Sequence, residues 1–337
     1  MRKCFYVLVA ISLLGYFLLC DACGKSIEKQ ISEQLELGQR YLMEENYEKA
    51  VVAFQKVIEL DEKEIRAYTG LIQVCQKTEN VENIESIIQQ GIALQSEDDE
   101  IGMDERLELL AAAKDYYAQT GNLENLINVL DILRELEPEN TNYDAELSNI
   151  YVELANRYVN DENLGEGIFI LNQAAKIRLT NDISARIEEL HDLHCEELNS
   201  FLKETYSSDF TGGQWGSSYT DYDRDGYFEI FAYTKKNNTN TDTVNVYYCN
   251  SDKSKCINVD NFGVPSESQI MLNGMVSKNP VYFCFAYGIN GYCTGYYLFG
   301  LSDGNPELIE YDTEINIPEN EIKEYIETNV VGSRETE

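Results

Sequence analysis

Two different spacings of apolar residues divide the chain. From residue 27 to about 206 they recur three and four positions apart, the period of amphipathic helices, and Pro138 is the single proline of that stretch. From 207 to 337 short alternating runs take over, and Tyr, Asn, Thr and Gly become frequent. These runs predict strands at Tyr227–Tyr233, Thr243–Cys249, Lys255–Asp260, Ser268–Leu272, Val281–Tyr287, Tyr292–Leu301 and Glu307–Tyr311. Turn clusters such as Lys236-Asn237-Asn238 and Ser302-Asp303-Gly304-Asn305 separate them, as in an antiparallel sheet, and Pro318 opens a terminal helix expected to reach about Thr328. The predicted class is α+β, an all-α part followed by a small antiparallel all-β part.

The helical part is internally repetitive. Leu37-Gly38-x-x-Tyr41 is followed by Ala50-x-x-x-Phe54, and one 34-residue step further on stand Tyr68, Leu71, Cys75, Ile84, Ile88 and Gly91. A third copy holds Leu110, Ala113, Tyr117, Leu126, Leu130 and Leu133 and ends at Pro138; a fourth holds Tyr151, Leu154, Ala155, Tyr158, Gly167, Leu171 and Ala174. Register slips occur at Glu97-Asp98-Asp99-Glu100 and Thr141-Asn142-Tyr143. The pattern resembles the tetratricopeptide (TPR) repeat, which implies a solenoid of helical hairpins over 27–206, with small residues at close helix approaches and aromatics between hairpins. Bends are expected at Glu45-Asn46, Glu79-Asn80, Gly121-Asn122 and Asp161-Glu162-Asn163, and Cys75 is expected as a free core residue.

Asn181 to Tyr206 reads as one more helix, striped by Ile183, Ile187, Leu190, Leu193, Leu198 and Phe201, suited to capping a solenoid. Both histidines of the chain, His191 and His194, lie here one turn apart, before Cys195 and a turn after Glu188. That spacing could hold a metal, but no further ligands of that kind accompany it, so a helix lying partly at the surface and partly along a seam is the expected reading.

The sharpest motif is Asp221-Tyr222-Asp223-Arg224-Asp225-Gly226-Tyr227-Phe228-Glu229. Three carboxylates, the Tyr227 carbonyl and Glu229 at this spacing can curl around calcium, which takes about 6–8 oxygens, while Gly226 permits the sharp turn. Ala232 at the twelfth position and a following strand exclude an EF-hand. The loop resembles the calcium loop of FG-GAP and VCBS propeller repeats, which implies metal ligation by Asp221, Asp223, Asp225, Tyr227 and Glu229; Arg224 stands where that family commonly has Gly or Asn. The alternative is a solvated acidic turn that tightens a hairpin without an ion. Only one such loop occurs, and about 130 residues cannot supply the roughly four blades of a closed propeller, so a blade-like sheet or sandwich is expected.

The start of the chain reads as an address. Arg2 and Lys3 precede an uncharged run from Cys4 to Cys20, the order of a signal peptide, here assigned to residues 1–22. Ala22-Cys23-Gly24-Lys25-Ser26 resembles a bacterial lipoprotein cleavage site, which implies diacylglyceryl on Cys23; Cys20 is the competing anchor. An uncleaved membrane anchor and a secreted product remain alternatives, and all three place the remainder outside the cytoplasm, with the lipoprotein on the extracytoplasmic face of the cell membrane. In such a compartment Cys249 with Cys256, and Cys284 with Cys293, each flanking a predicted bend, are candidate disulfides.

Charge narrows the function. Sixty acids against 26 Lys and Arg give a formal −34, which excludes nucleic acid as a partner, because binding it requires cations that displace phosphate counterions. Two histidines, no nucleophile motif and no phosphate-cradling glycine loop point to a binding protein and not an enzyme. The expected partner is a protein on the concave face of the repeats; the alternative is a glycan or cell wall bound by the β part. Trp215, Tyr292, Tyr296 and Tyr297 are the candidate aromatics for that, though each equally suits a strand.

Overall fold

The computed structural model describes residues 27–78, 84–97, 101–277 and 281–331. The signal segment with Cys20 and Cys23, the Glu79-Asn80 bend and the insertion at Asp98–Glu100 lie outside the described residues. The chain forms two compact units that divide between Ile150 and Tyr151. Helices run to Thr205 and strands begin at Gln214, so the chain is a helical array followed by antiparallel sheets.

The first unit holds α1 (27–43), α2 (Tyr47–Leu60), α3 (Ile65–Thr78), α4 (Ile84–Glu97), α5 (Met103–Thr120), α6 (Leu123–Leu136) and the start of α7 (Asn142–Asn160). They pair into TPR-like hairpins. Phe54 is the keystone of the first: it is fully buried among Ile31, Leu35, Ala50, Val57, Ala67 and Leu71. It is gripped by two glycines, since a Cβ on Gly38 would lie 2.7 Å from the Phe54 ring and one on Gly70 would overlap the far end of that ring. In the third hairpin Leu110, Ala113, Tyr117, Leu126, Leu130 and Leu133 are all buried, at the positions the repeat assigns to its core. The register slips have a physical form: α5 and α7 have 18 and 19 residues where α2, α3, α4, α6 and α8 each have 14.

The bends share one construction. Glu45, Gly121 and Glu162 take left-handed conformations, with φ of 57°, 70° and 60°. The next residue, Asn46, Asn122 or Asn163, donates its backbone N–H to the carbonyl five residues back, which is a tyrosine each time: Tyr41, Tyr117 and Tyr158. This is the Schellman closure of a helix. Asn122 and Asn163 then cap the next helix, accepting from the N–H of Asn125 and Glu166 at 3.2 Å.

The second unit carries the rest of α7, then α8 (Leu164–Ile177) and α9 (Asn181–Thr205), and then two sheets. Sheet A has the order β1 (Gln214–Thr220), β2 (Glu229–Lys236), β3 (Thr241–Cys249), β4 (Cys256–Pro265). Sheet B has β5 (Gln269–Val276), β6 (Tyr282–Ile289), β7 (Tyr292–Ser302), β8 (Asn305–Asp312), and β9 (Ile317–Pro318) pairs with the start of β7. All neighbours are antiparallel, and all but the β7–β9 pair are sequential. Seven of these nine strands match the predicted runs; the two-residue β9 was not predicted, and β1 escaped because Gln-Trp-Gly-Ser-Ser-Tyr-Thr is polar and lacks the apolar alternation.

Between the sheets lies an aromatic core: Phe231, Tyr233 and Tyr248 from sheet A meet Phe283, Phe285, Tyr297 and Phe299 from sheet B. Phe231 and Phe283 stack at 5.4 Å and 3°. The arrangement is a sandwich, and its outer faces are covered as well. Leu198 and Leu202 of α9 lie on Ile230, Ala232, Tyr247 and Cys249 of sheet A. Ile322, Ile326, Val330 and Val331 lie on Cys284, Ala286 and Leu298 of sheet B. Ile322 and Ile326 fall within the predicted terminal helix and Val330 and Val331 just past its expected end, and the segment is irregular: a 3₁₀ turn (Glu319–Glu321), one α turn (α10, Ile322–Tyr325) and a wide π turn (Ile326–Val331).

The fit around Phe54 sets a prediction. Ala is a better helix former than Gly by about 1 kcal/mol, yet overpacking a full core costs about 1–3 kcal/mol. Gly70→Ala is therefore expected to lower the stability of the first unit. Adding Phe54→Leu should recover part of the loss, giving a non-additive double-mutant cycle in denaturant unfolding. Additive effects would mean that the two side chains do not share the space described.

Candidate functional site

The acidic loop is the β1–β2 connection. β1 ends at Thr220 and β2 begins at Glu229, so both ends of the loop are pinned by the ladder Thr220↔Glu229. Within it the backbone folds onto its own carboxylates. The N–H of Asp225 donates to Asp223 Oδ1 at 3.3 Å, that of Tyr227 to Asp225 Oδ1 at 2.8 Å, and that of Gly226 to Asp221 Oδ2 at 3.1 Å. Glu229 Oε2 accepts from the Tyr222 N–H at 2.9 Å across the loop mouth. Arg224 has φ +66° and Gly226 φ +96°, which gives the physical reason that Gly or Asn is favoured at the position Arg224 occupies.

Asp221, Asp223, Asp225 and Glu229 each present an oxygen within 4.8 Å of the others, so the four predicted acids converge. Glu229 is buried, and Asp221 Oδ1 is a buried oxygen with no hydrogen-bond partner. Burial raises the pKa of Asp221 and of Asp223, with neighbouring Asp225 adding to both, and burial pushes Glu229 up to about 9. The donor set is entirely oxygen, the kind a hard divalent cation takes.

The loop is seated on α8. Phe169 and Tyr227 stack at 4.7 Å and 5°, and the Tyr227 hydroxyl donates to Glu166 at 2.7 Å. Gly226 approaches the Phe169 ring so closely that a Cβ would stand 2.8 Å from it. A cavity of about 440 Å³ opens beside the loop, walled by Asn163, the cap of α8, and Glu166 of α8, by Asp223, Asp225 and Glu229, and by Asn250, Ser251 and Asp252 of the β3–β4 turn.

The histidines are a seam, as the sequence indicated, and the seam has a defined proton order. His194 is fully buried; its Nε2 lies 3.0 Å from the Ser251 carbonyl, which can only accept, so Nε2 carries the proton. In neutral His194, Nδ1 therefore accepts from the Tyr219 hydroxyl at 2.9 Å, and His191 Nδ1–H donates to the same oxygen at 3.1 Å. The chain His191–Tyr219–His194–Ser251 thus joins α9 to β1 and to the β3–β4 turn. Burial lowers the pKa of both histidines, and His194 adds to the effect on His191.

Other sequence candidates are placed as follows. Trp215 is on β1 and 41% exposed, but Lys203 Nζ sits 3.6 Å over its ring and Phe210 meets it edge-on. Tyr292 is half exposed at the start of β7, whereas Tyr296 and Tyr297 are buried in the two cores. Cys75 is buried in α3, and burial pushes its thiol up to about 12. Cys249 and Cys256 are direct partners across the β3–β4 ladder. Cys284 and Cys293 are not: Cys284 opposes Leu298 and Cys293 opposes Gly288. The expectation of symmetric placement fails for this second pair because the bend is at Asn290-Gly291, both at positive φ, which is much closer to Cys293. All four stand as thiols in this structure. Sequence reasoning missed the buried ion pair of Lys235 with Asp242 at 2.6 Å on neighbouring strands. Two isolated opposite charges in alternating strands gave no signal that both face inward.

In the first unit a groove of about 600 Å³ runs along the first helices of successive hairpins, lined by Leu35, Gln39, Arg40 and Met43 of α1, Arg66 and Thr69 of α3 and Glu108 of α5. Arg66 is held by Glu64 at 2.6 Å and faces Glu105 at 3.7 Å.

No family model matches the chain, and no curated protein matches it. Among solved structures it is similar to pilF of Pseudomonas aeruginosa, with 16% identity over 56% of this chain and 79% of that one, at a TM-score of 0.28. It is similar to YrrB, described as a TPR protein with an unusual peptide-binding site, at 13% identity over 48% of this chain and 97% of that one, with a TM-score of 0.28. MamA matches at 12% identity over 53% of this chain and 96% of that one, with a TM-score of 0.31.

The histidine seam gives a pH prediction with a definite sign. Folded-state pKa values below the unfolded value near 6.5 mean that the unfolded chain binds more protons under mildly acidic conditions. The stability from the neutral pair is present above about pH 6.5 and is lost as pH falls toward the depressed folded values. The charged groups acting on the pair are Asp192 and Glu197 of α9 and Lys253 of the β3–β4 turn. Because the raised Glu229 acts in the opposite sense over this range, the histidine contribution is read as a difference: between pH 7.5 and 5.5 the denaturant midpoint of the wild type should fall relative to that of His191→Asn/His194→Asn. An unchanged slope in that variant would assign the pH dependence to other groups.

Proposed function

We propose that this protein is a lipid-anchored, extracytoplasmic binding protein that holds a protein partner in the groove along α1, α3 and α5. The observation that carries this reading is the groove itself, an open trough on the side where TPR-type hairpins present their first helices, with Arg40 and Met43 at one end and Arg66 further along. Solenoids present extended surfaces of this kind and supply binding rather than chemistry. Among the described residues Arg40 has no ion-pair partner, an open cationic group in a chain of net charge −34. An extended peptide segment carrying a carboxylate complements it. The anchoring part of the proposal rests on the basic, apolar and Ala22-Cys23 order at the N-terminus; among the described residues no helix is long and apolar enough to cross a membrane.

The test uses cells expressing the full chain. Fatty-acid labelling should mark the wild type and be lost in Cys23→Ser, whereas label lost in Cys20→Ser would move the anchor. Crosslinking in the intact envelope should recover a protein partner with the wild type and recover at least tenfold less with Arg40→Glu. Recovery unchanged by Arg40→Glu would remove the groove from the proposal. Recovery of glycan alone would favour the second reading, a wall-binding β part; the exposed Tyr292 and Tyr311 support that reading, while Trp215 already has Lys203 on one ring face.

The acidic loop adds a cofactor to the proposal. The residues fit calcium: Asp221, Asp223, Asp225, Glu229 and the Tyr227 carbonyl would hold the ion, and the orphaned Asp221 Oδ1 is the oxygen most in need of it. The ion's role would be electrostatic, neutralising carboxylates that burial otherwise forces toward protonation. An extracellular site with Kd on the order of 10⁻⁴–10⁻³ M stabilises the folded state by about 1 kcal/mol at millimolar calcium, or roughly 2–4 °C in Tm. The full chain is expected to melt that much higher in calcium than in chelator, and Asp223→Ala to lose the difference. An equal Tm for the wild type in both buffers would leave the loop as a metal-free turn.

A further inference from the structure

The β3–β4 turn holds two thiols in the one relation that a disulfide across a sheet requires. Cys249 and Cys256 are paired residues of the ladder, and the next pair inward, Asn250 and Lys255, carries the backbone bond: the Asn250 N–H donates to the Lys255 carbonyl at 3.0 Å. Hydrogen-bonded and non-hydrogen-bonded pairs alternate in an antiparallel ladder, so Cys249 and Cys256 form a non-hydrogen-bonded pair, where Cα atoms approach to about 4.5 Å and side chains are closest. That separation lies inside the roughly 4.4–6.8 Å window of disulfides. Both side chains lie on the face of sheet A covered by α9. Cys249 is fully buried, whereas Cys256 at the strand end is half-buried. The Cys249 side chain also lowers the pKa of the Cys256 thiol, which suits it to react first.

We propose that Cys249 and Cys256 form a reversible disulfide that staples the β3–β4 turn, and that Cys284 and Cys293 remain thiols. The oxidant is a disulfide donor. The Cys256 thiolate attacks one donor sulfur, forming a mixed disulfide and releasing the first donor thiol. The Cys249 thiol then loses its proton and attacks Cys256 Sγ, closing the protein bond and releasing the second. The protein gives up two electrons and two protons, and one donor disulfide becomes two thiols. The stapled turn contains Ser251, whose carbonyl accepts the hydrogen bond from His194 Nε2–H, and Asp252, which walls the cavity beside the acidic loop. Oxidation therefore fixes the turn that both features depend on.

The experiment is performed on the full chain, treated with oxidised glutathione or with reductant and then alkylated and mapped by mass spectrometry. A Cys249–Cys256 crosslinked peptide is expected after oxidation, with Cys284 and Cys293 free in the denatured protein. Closing a loop of this size should raise the Tm of the second unit by roughly 5–10 °C over the reduced form. Cys284→Ser should retain the crosslink and the shift; Cys249→Ser/Cys256→Ser, checked for folding by circular dichroism, should lose both. Full alkylation of Cys249 and Cys256 after oxidation, or a redox-dependent shift that persists in the double variant, would overturn the proposal.

Discussion

The contact on which the second unit depends is the burial of the outer face of sheet A beneath α9. Leu198 and Leu202 close over Ile230, Ala232, Tyr247 and Cys249, so β2 is buried on both faces over nearly its whole length. With the aromatic core on the other face and the terminal helix behind sheet B, the unit becomes four layers deep. Covering both faces removes more apolar area from water than a two-layer sandwich of this size can, at about 25 cal/mol per Å². It also obliges polar groups at the seams to find partners. Tyr219, His191 and His194 do so among themselves, and Lys235 and Asp242 do so as an ion pair.

That layered packing also creates the electrostatic tension at the acidic loop. An exposed loop with four acids would simply be solvated. Here Gly226 and Tyr227 are pressed against Phe169 of α8, and Glu229 opens a strand that is buried on both faces. Water is displaced from Glu229 and in part from Asp221, while the exposed Asp223 and Asp225 stand close beside them, so the buried charges lose hydration and the set repels. Either protons or a cation must answer that.

One six-residue turn, 250–255, joins several of these constraints. It continues the hairpin closed by Cys249 and Cys256, offers the Ser251 carbonyl to His194, and places Lys253 2.6 Å from Glu197 of α9. Its geometry is therefore tied to the thiol pair, to the protonation of a buried imidazole and to a salt link with the helix that covers the sheet. In the first unit the comparable role falls to sterics alone: two glycines admit one phenylalanine, and the hairpins stack around it.

The helical repeats were legible from residue order alone, because a hairpin that repeats its close contacts must repeat its small and large residues. Gly38, Ala50, Phe54, Tyr117 and Ala174 occupy buried or close-packed positions accordingly. Seven strands were legible from turn clusters and β-rich runs, and the four acids of the loop from their spacing, since ligands on one short loop are local in the chain. Tertiary structure decided what is non-local. β1 is polar and becomes a strand only because β2 offers it a partner. Residue counting across a bend could not tell Cys249–Cys256 from Cys284–Cys293, because pairing depends on where the ladder register falls and not on the number of residues between the cysteines. The seating of the loop on Phe169 and the link of His194 to Ser251 join residues some 57 positions apart, and side chains that distant meet only through packing.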